Sequence, residues 1–386
     1  MTGDDKAKPS EAEMLLQEKD RHVVVRAHEI PLSAHNKAVT CIQFNHEGDL
    51  LLSSSKDTNC SACAWHTRNG ELLGSFTTVG KGTRNYDSAN GAIAVNRYST
   101  MVATASTGED VMLWSLQTGD NLAKISRPPV SMSSVAFSYG DDKLLTACKG
   151  RGMSKSAVLI YNLPFTPPKV GQDIEPVKTE FNPVIEHELE SKEEKISWAT
   201  WGPTNDSVYF AVGNTLRILD VETNTVVLSK EIHDAEGPGE GMINRFKFAP
   251  DYLTLATAST DGWAKLVDFR DLTVIQGYHS GEPVNDVSIS PIADHVVLGG
   301  GLDAQMVTTQ GGASTFDVKV FHKVRGTQLG QISKRHFGTI TAMSLTPDGR
   351  GLASGAADGF IKLFRFDEKY DSAIGRVPIW SLKQAN

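Results

Sequence analysis

The sequence has few cysteines, no long apolar run and no excess of basic residues. Only four cysteines occur in 386 residues, too few for the disulfide framework of a small secreted protein. No apolar stretch approaches the roughly 18 residues of a membrane-spanning helix, and the first residues, MTGDDKAKPSEAEMLL, lack the apolar core of a signal peptide. Acidic residues outnumber basic ones, 46 to 38, so no overall positive field attracts nucleic acid or anionic lipid. These absences predict a cytoplasmic protein without a membrane partner.

The sequence contains a pattern of residues that recurs seven times. Each copy has an apolar strand, a turn rich in Asp, Gly and Asn, a strand that ends in small residues and a strand that closes on an aromatic or aliphatic pair. The closing pairs are Trp65-His66, Trp114-Ser115, Tyr161-Asn162, Leu219-Asp220, Val267-Asp268, Phe321-His322 and Phe364-Arg365. Their spacing of roughly 43 to 58 residues is that of propeller blades. The pattern predicts an all-β, seven-bladed β-propeller, whose flat faces suit binding partners better than catalysis.

The repeats occupy residues 29–367, and the flanking segments differ from them in composition. Residues 1–28 are polar and charged and predict a disordered extension or one short helix, while residues 368–386 form a C-terminal tail. Residues 164–195 carry five prolines and predict a long exposed loop. The last repeat supplies only three strands, at 340–345, 351–356 and 361–366. The segment EIPLS (29–33) is therefore predicted to close the ring as the outer strand of the last blade.

Histidine and aspartate recur at matched places in three repeats. The pairs are His35 with Asp57, His233 with Asp261, and His336 with Asp358. In each pair the His precedes the innermost strand and the Asp follows the next strand, so both turns lie at one side of a blade. Because a buried carboxylate needs hydrogen-bond donors, we interpret these pairs as structural. The alternative, a catalytic His–Asp dyad, is disfavoured because we find no nucleophilic Ser or Cys that shares the pattern.

Three motifs imitate binding sites for a metal or a phosphate group. Cys60-Ser-Ala-Cys63 with His66 offers metal-binding residue types, but residues three apart on a strand face opposite sides and no second pair exists. The Gly74–Gly82 segment has the wrong glycine spacing for a phosphate loop and precedes a strand. The Gly299–Gly301 run also lacks a following helix and indicates tight backbone packing. The sequence thus predicts no metal, no cofactor, no catalytic residue and no small-molecule substrate.

Several stretches resemble a family of WD-repeat proteins, the i subunit of eukaryotic translation initiation factor three. They are EGDLLLSSSKD (47–57), NGELLGSF (69–76), HVVLGGGLDAQMVTT (295–309), STFDVKVFH (314–322) and HFGTITAMSLTPDGRGLASGAADGFIKLFRFD (336–367). The triple glycine with its trailing VTT and the HFG…DG…DGF ending are uncommon in other WD-repeat proteins. The resemblance covers residues 30–367. It departs from the pattern in the second repeat, where Gly108 stands at the expected turn Asp.

This resemblance implies a WD-repeat propeller that is a non-catalytic subunit of a factor bound to the small (40S) ribosomal subunit. In that family a C-terminal helical arm of the b subunit docks on the fifth and sixth blades, and the g subunit lies close by. By motif, Asp251 in FAPD and Asp268 in KLVD match acidic positions suited to a basic residue of the arm. From the residues alone, Asp251 fits a hairpin turn equally well, and Asp268 fits the remnant of a Trp-Asp pair. The alternative function is that of a WD-repeat adaptor resembling the receptor-kinase-associated protein.

Overall fold

The computed structural model describes residues 27–57, 62–76, 90–106, 110–126, 130–163, 181–236, 238–302 and 315–366. Most of the predicted extension (1–28), the predicted tail (368–386) and residues 164–180 of the proline-rich loop lie outside these ranges. Within the described residues the regular structure is β-strand, apart from a short 3-10 turn over Pro238–Gly241. The predicted domain boundaries at the two ends stay predictions.

The described residues form 28 strands. In chain order they are β1 (Ala27–Leu32), β2 (Val39–Phe44), β3 (Leu50–Ser55), β4 (Ala62–His66), β5 (Leu72–Ser75), β6 (Asn90–Val95), β7 (Met101–Ser106), β8 (Asp110–Ser115), β9 (Asn121–Ser126), β10 (Val130–Phe137), β11 (Lys143–Gly150), β12 (Ala157–Asn162), β13 (Ile185–Glu188), β14 (Ile196–Trp201), β15 (Ser207–Val212), β16 (Thr215–Asp220), β17 (Thr225–Glu231), β18 (Ile243–Phe248), β19 (Thr254–Ser259), β20 (Trp263–Asp268), β21 (Val274–His279), β22 (Val284–Ile289), β23 (His295–Gly300), β24 (Val318–His322), β25 (Gln328–Ile332), β26 (Ile340–Leu345), β27 (Gly351–Ala356) and β28 (Ile361–Phe366).

These strands form seven four-stranded antiparallel sheets. Blades one to six each consist of four consecutive strands, from β2–β5 through to β22–β25, and blade seven contains β26, β27 and β28 with β1 as its fourth strand. The predicted all-β, seven-bladed propeller is confirmed. The connections between blades and the turns between second and third strands lie at one end of the ring, which we call the connecting face. The other turns lie at the opposite end, the hairpin face.

Ring closure depends on the first strand of the chain. β1 runs antiparallel to β28, with Glu29 opposite Phe364 and Ile30 opposite Leu363. The Glu29 carboxylate also pairs with Lys362 Nζ at 2.8 Å and with Arg335 Nη1 at 3.1 Å. The predicted closing segment, 29–33, therefore has the predicted role. Its pairing covers an edge of β28 that would otherwise be open to another chain.

Small residues let neighbouring blades approach closely. A Cβ on Gly355 of β27 would lie 2.6 Å from Val39 Cγ1 in blade one, and one on Gly299 of β23 would lie 2.5 Å from Met343 Sδ in blade seven. At both distances a side chain of the neighbouring blade would have to move to admit a Cβ. The tight backbone packing predicted for the Gly299–Gly301 run is found at Gly300, where a Cβ would lie 1.9 Å from the Pro283 carbonyl oxygen.

The hydrophobic core is divided among the seams between blades. At the closing seam, Leu32 and Leu363 of blade seven pack with Val39 and Ile42 of blade one. Each such side chain contributes about 1.5–3 kcal/mol when fully buried. Because each seam is shared by two blades, closing the ring buries apolar side chains of blades seven and one against each other.

Candidate partner-binding site

Asp251 lies in the turn between β18 and β19 of blade five, on the hairpin face. Its Oδ1 accepts a hydrogen bond from Leu253 N at 2.9 Å, and this bond fixes the turn. Its Oδ2 lies 3.5 Å from Lys323 Nζ in blade six, and 47% of the Asp251 side chain is exposed. Asp251 is thus both a turn residue and an accessible carboxylate at the seam between blades five and six.

Asp268 is the last residue of β20 and lies on the same face. Its Oδ1 accepts from Arg270 N at 2.9 Å, and its Oδ2 lies 3.3 Å from the Arg270 guanidinium. The hydrogen bonds from the Arg270 side chain and amide lower the pKa of the Asp268 carboxyl, which stays charged at neutral pH. Asp268 pairs with Thr254, three residues beyond Asp251, so the structure brings the two predicted residues to one part of blade five.

The surroundings of these carboxylates combine charge with exposed apolar side chains. Lys323 belongs to the turn after β24, and its carbonyl oxygen accepts from Tyr278 Oη of blade five at 2.6 Å. Leu253 beside Asp251 is 59% exposed, and Val324 beside Lys323 is 70% exposed. Accessible apolar groups among charges are typical of a protein-binding surface. We call Asp251, Leu253, Asp268, Lys323 and Val324 the seam site.

The His–Asp pair of blade five forms a complete hydrogen-bonded chain. His233 Nδ1 lies 2.8 Å from Asp261 Oδ2, and Nε2 lies 2.8 Å from Thr257 Oγ1. The two side chains of the pair are 0% and 3% exposed. Burial raises the pKa of the Asp261 carboxyl, but the hydrogen bonds from His233 and from Trp263 N outweigh it and hold this pKa below its usual range.

Blades one and seven repeat this arrangement with serine. His35 Nε2 lies 2.8 Å from Ser53 Oγ, which also accepts from Trp65 Nε1, and Asp57 Oδ2 accepts from Asn36 N at 2.9 Å. In blade seven His336 Nε2 lies 2.7 Å from Ser354 Oγ, and Asp358 Oδ2 lies 3.5 Å from His336 Nδ1. In both blades the Asp also binds the backbone amide that follows the His. The carboxylates thus hold the loops that lead into the innermost strands.

Comparison with known proteins gives a consistent result over nearly the whole chain. The sequence profile of the EIF3I family matches residues 28–373. The eukaryotic translation initiation factor 3 subunit I of Drosophila grimshawi is 32% identical over 345 residues, 88% of this chain and 97% of the relative. The proteins of the same name from Nematostella vectensis and Aspergillus terreus are each 30% identical, over 89% and 88% of this chain and 97% and 95% of the relatives. The chain belongs to the eukaryotic translation initiation factor 3 subunit I family.

Membership of the subunit I family confirms the resemblance found in the sequence, although the roles of individual residues stay predictions. Sequence reasoning missed both cations that pair with these carboxylates, Lys323 of the seam site and Arg270 beside it. Arg270 carried a local signal, because an Arg two residues after an Asp at a strand end can fold back on the carboxylate. No sequence signal indicates Lys323, because it is 72 residues away from Asp251 in the chain. The two residues meet only through the packing of two blades.

One argument about the His–Asp pairs was wrong. A hydroxyl does share the pattern, since Ser53, Thr257 and Ser354 each stand four residues before the Asp. The geometry therefore imitates a Ser-His-Asp triad. All three hydroxyl-bearing residues are 0% exposed, however, and a nucleophile must reach its substrate. Burial is the physical reason for keeping the structural interpretation.

The channel of the propeller contains a charged network that sequence reasoning did not find. Arg245 of blade five bonds Asp286 of blade six at 3.0 Å and the Thr40 carbonyl of blade one at 2.9 Å, and its guanidinium lies 4.3 Å from the Trp198 ring centroid. Lys247 Nζ lies 2.9 Å from the same carboxylate. Burial lowers the pKa of Lys247, although the charge of Asp286 opposes this. A cavity of about 620 Å³ lies between this network and the hairpin face.

The described residues were also compared with the requirements of a metal site and of a membrane-spanning helix, and they meet neither. Among the described residues no group of three or more His, Cys, Asp and Glu side chains is placed to hold a metal ion. Cys60 of the metal-like motif lies outside those residues, and Cys63 is buried. No helix in the described ranges is long and apolar enough to cross a membrane.

Proposed function

We propose that the protein is a non-catalytic scaffold subunit of the initiation factor 3 complex in the cytoplasm. In this proposal it binds the b and g subunits and supports assembly of the initiation complex on the small ribosomal subunit. The observation that carries it is the family match over residues 28–373 with relatives named as subunit I of that factor. The burial of every hydroxyl in the three His–Asp sites supports a role without catalysis.

The seam site is the proposed docking place for the arm of the b subunit. Its two carboxylates lie on one face, and the Asp251–Lys323 contact spans blades five and six. A helical arm with basic and apolar residues would meet Asp251 and Asp268 with its charges and Leu253 and Val324 with its apolar side chains. The net charge of −8 favours such a basic partner.

Docking of a basic arm requires an exchange of partners at both carboxylates. Arg270 is 72% exposed, so its pair with Asp268 is screened by water and costs little to replace. The Lys323 side chain is only 19% exposed, so the arm must displace a mostly buried ammonium group to pair with the half-exposed Asp251 carboxylate. Truncating one partner of a charge pair that is desolvated in an interface costs about 2–5 kcal/mol, much of it the penalty of leaving the other charge unpaired.

Affinity purification of the tagged full-length chain, followed by mass spectrometry, tests the scaffold proposal. We expect the b and g subunits and small-subunit ribosomal proteins to co-purify with it. A tagged chain that recovers receptor-associated proteins, and no initiation factor subunit, would favour the adaptor function instead.

A further inference from the structure

Two phenyl rings project from the connecting face of blade seven. Phe337, in the loop before β26, is 88% exposed, and Phe360, just before β28, is 40% exposed. One carboxylate holds both residues, because Asp358 accepts from Phe337 N at 3.0 Å and from Phe360 N at 2.9 Å. The backbone of both residues is therefore held by one turn, and Lys362 Nζ lies 5.8 Å from the centroid of the Phe360 ring. They belong to the HFG and DGF motifs, which the seam site on the other face does not use.

Three lysines lie on the loops that carry or touch the two phenylalanines, and Lys334 precedes Phe337 by three residues in the same loop. A Cβ on Gly359 would lie 3.3 Å from the Lys37 carbonyl, so the loop of blade one that carries Lys37 touches the turn that carries Phe360. Lys56 N bonds the neighbouring Ala38 carbonyl at 2.9 Å, which places Lys56 beside that loop. Lys37, Lys56 and Lys334 are exposed, and none of them makes an ion pair within the described residues.

The few acidic groups nearby are already engaged. Glu29 is shared by Arg335 and Lys362. Asp57 is 3% exposed and bonds a backbone amide, and Asp358 is tied to two amides and a histidine. Among the described residues, positive charge is thus in excess at this corner, although the net charge of the chain is −8. We call Lys37, Lys56, Lys334, Phe337 and Phe360 the ring patch.

We propose that the ring patch binds single-stranded RNA, with bases stacked on Phe337 and Phe360 and phosphates near the three lysines. Exposed aromatic faces flanked by unpaired cations are what single-stranded nucleic acid requires, and stacking tolerates any base sequence. A peptide of acidic residues alone would neutralise the lysines but would offer no ring to stack on Phe337, which is 88% exposed. This inference does not depend on the proposed function, since any unpaired strand satisfies it.

Fluorescence anisotropy with a labelled 12-nucleotide oligouridine and the full chain tests the proposal. We expect binding at low salt, weakened about fivefold or more by each of Phe337→Ala and Phe360→Ala. The triple variant Lys37→Gln, Lys56→Gln, Lys334→Gln should make the dependence of log affinity on log salt less steep by about 0.7 per lysine. Tyr98→Ala is the matched control, because Tyr98 is 53% exposed on the hairpin face of blade two. It should bind as the wild type does.

Three outcomes would overturn the proposal. The first is no binding of the oligouridine at low salt. The second is that the two Phe variants bind it with the same affinity as the Tyr98 control. The third is that a 12-base-pair RNA duplex, which has no bases free to stack, binds as tightly as the oligouridine. A 12-residue poly-glutamate peptide tests whether the ring patch binds an acidic protein segment instead of RNA. If it binds as tightly as the oligouridine and depends equally on Phe337 and Phe360, the ring patch is a site for an acidic protein segment. Unchanged melting temperatures of all variants show that the fold is intact.

Discussion

Arg245 Nη1 lies 3.0 Å from Asp286 Oδ2 inside the channel, and this contact joins blade five to blade six. The same carboxylate accepts from Lys247 Nζ and, at 2.7 Å, from Met343 N in blade seven. Replacing Asp286 with Ala leaves the buried Arg245 and the partly buried Lys247 without their counter-ion. We expect a loss of about 3–5 kcal/mol in the free energy of unfolding, measured by urea denaturation.

A control separates this network from a general effect of losing an aspartate. Asp294→Ala changes an exposed residue of the same blade and should alter the free energy of unfolding by less than about 0.5 kcal/mol. Equal stability of the Asp286→Ala and Asp294→Ala proteins would mean that the channel network does not stabilise the ring.

The His–Asp site of blade one gives a second prediction. Asp57→Ala removes the acceptor of Asn36 N in a buried turn, and an unpaired buried donor costs about 1–3 kcal/mol. We expect a lower melting temperature in calorimetry and unchanged affinity for partners per folded molecule. Full thermal stability combined with lost partner binding would show that Asp57 serves a partner and not the fold.

The lowered pKa of Asp261 predicts a dependence of stability on pH. The pKa of Asp261 in the folded state lies below its unfolded value of about 3.9. The stabilisation is therefore fully present at pH values above the unfolded pKa and is lost as the pH falls through the folded-state pKa. The melting temperature of the wild type should therefore exceed that of Asp261→Asn by a constant amount between pH 7 and 5. The difference should narrow below about pH 4. A difference that already narrows between pH 7 and 5 would contradict this linkage.

Truncation tests the closure of the ring. A fragment that starts at residue 21 keeps β1, whereas one that starts at residue 35 exposes the edge of β28 and removes Leu32 from the closing seam. We expect the first to be a folded monomer and the second to melt earlier and to self-associate in light scattering. A monomeric 35–386 fragment with the wild-type melting temperature would refute closure by β1.

Much of the fold could be read from the sequence because a blade is a local unit. The third strands of blades one to six end on the predicted closing pairs, from Trp65-His66 to Phe321-His322, and the three strands of blade seven have the predicted bounds. The periodicity of a strand and the chemistry of a turn act over a few residues, so the pattern carries them.

The contacts between blades could not be read in this way. The Arg245–Asp286 and Asp251–Lys323 contacts join residues 41 and 72 positions apart, and which side chains meet depends on the packing of whole blades. The third member of the His–Asp sites was within reach, because Ser53, Thr257 and Ser354 keep a fixed spacing to the Asp. The pattern alone does not assign it, because a serine within a strand is also typical of a small packing residue.

Isothermal calorimetry with the isolated arm of the b subunit tests the proposed docking at the seam site most directly. The variant is Asp251→Lys with Asp268→Lys. The matched control is Asp348→Lys with Asp220→Lys. Asp348, like Asp251, follows a proline and accepts a hydrogen bond from the amide two residues later. Asp220 ends the third strand of blade four, as Asp268 ends the third strand of blade five. We expect the seam variant to bind the arm at least tenfold more weakly than the wild type does, while the control keeps wild-type affinity. The two variants should have the same melting temperature. Unaltered affinity of the seam variant, or an equal loss in the control, would contradict the assignment of the arm to blades five and six.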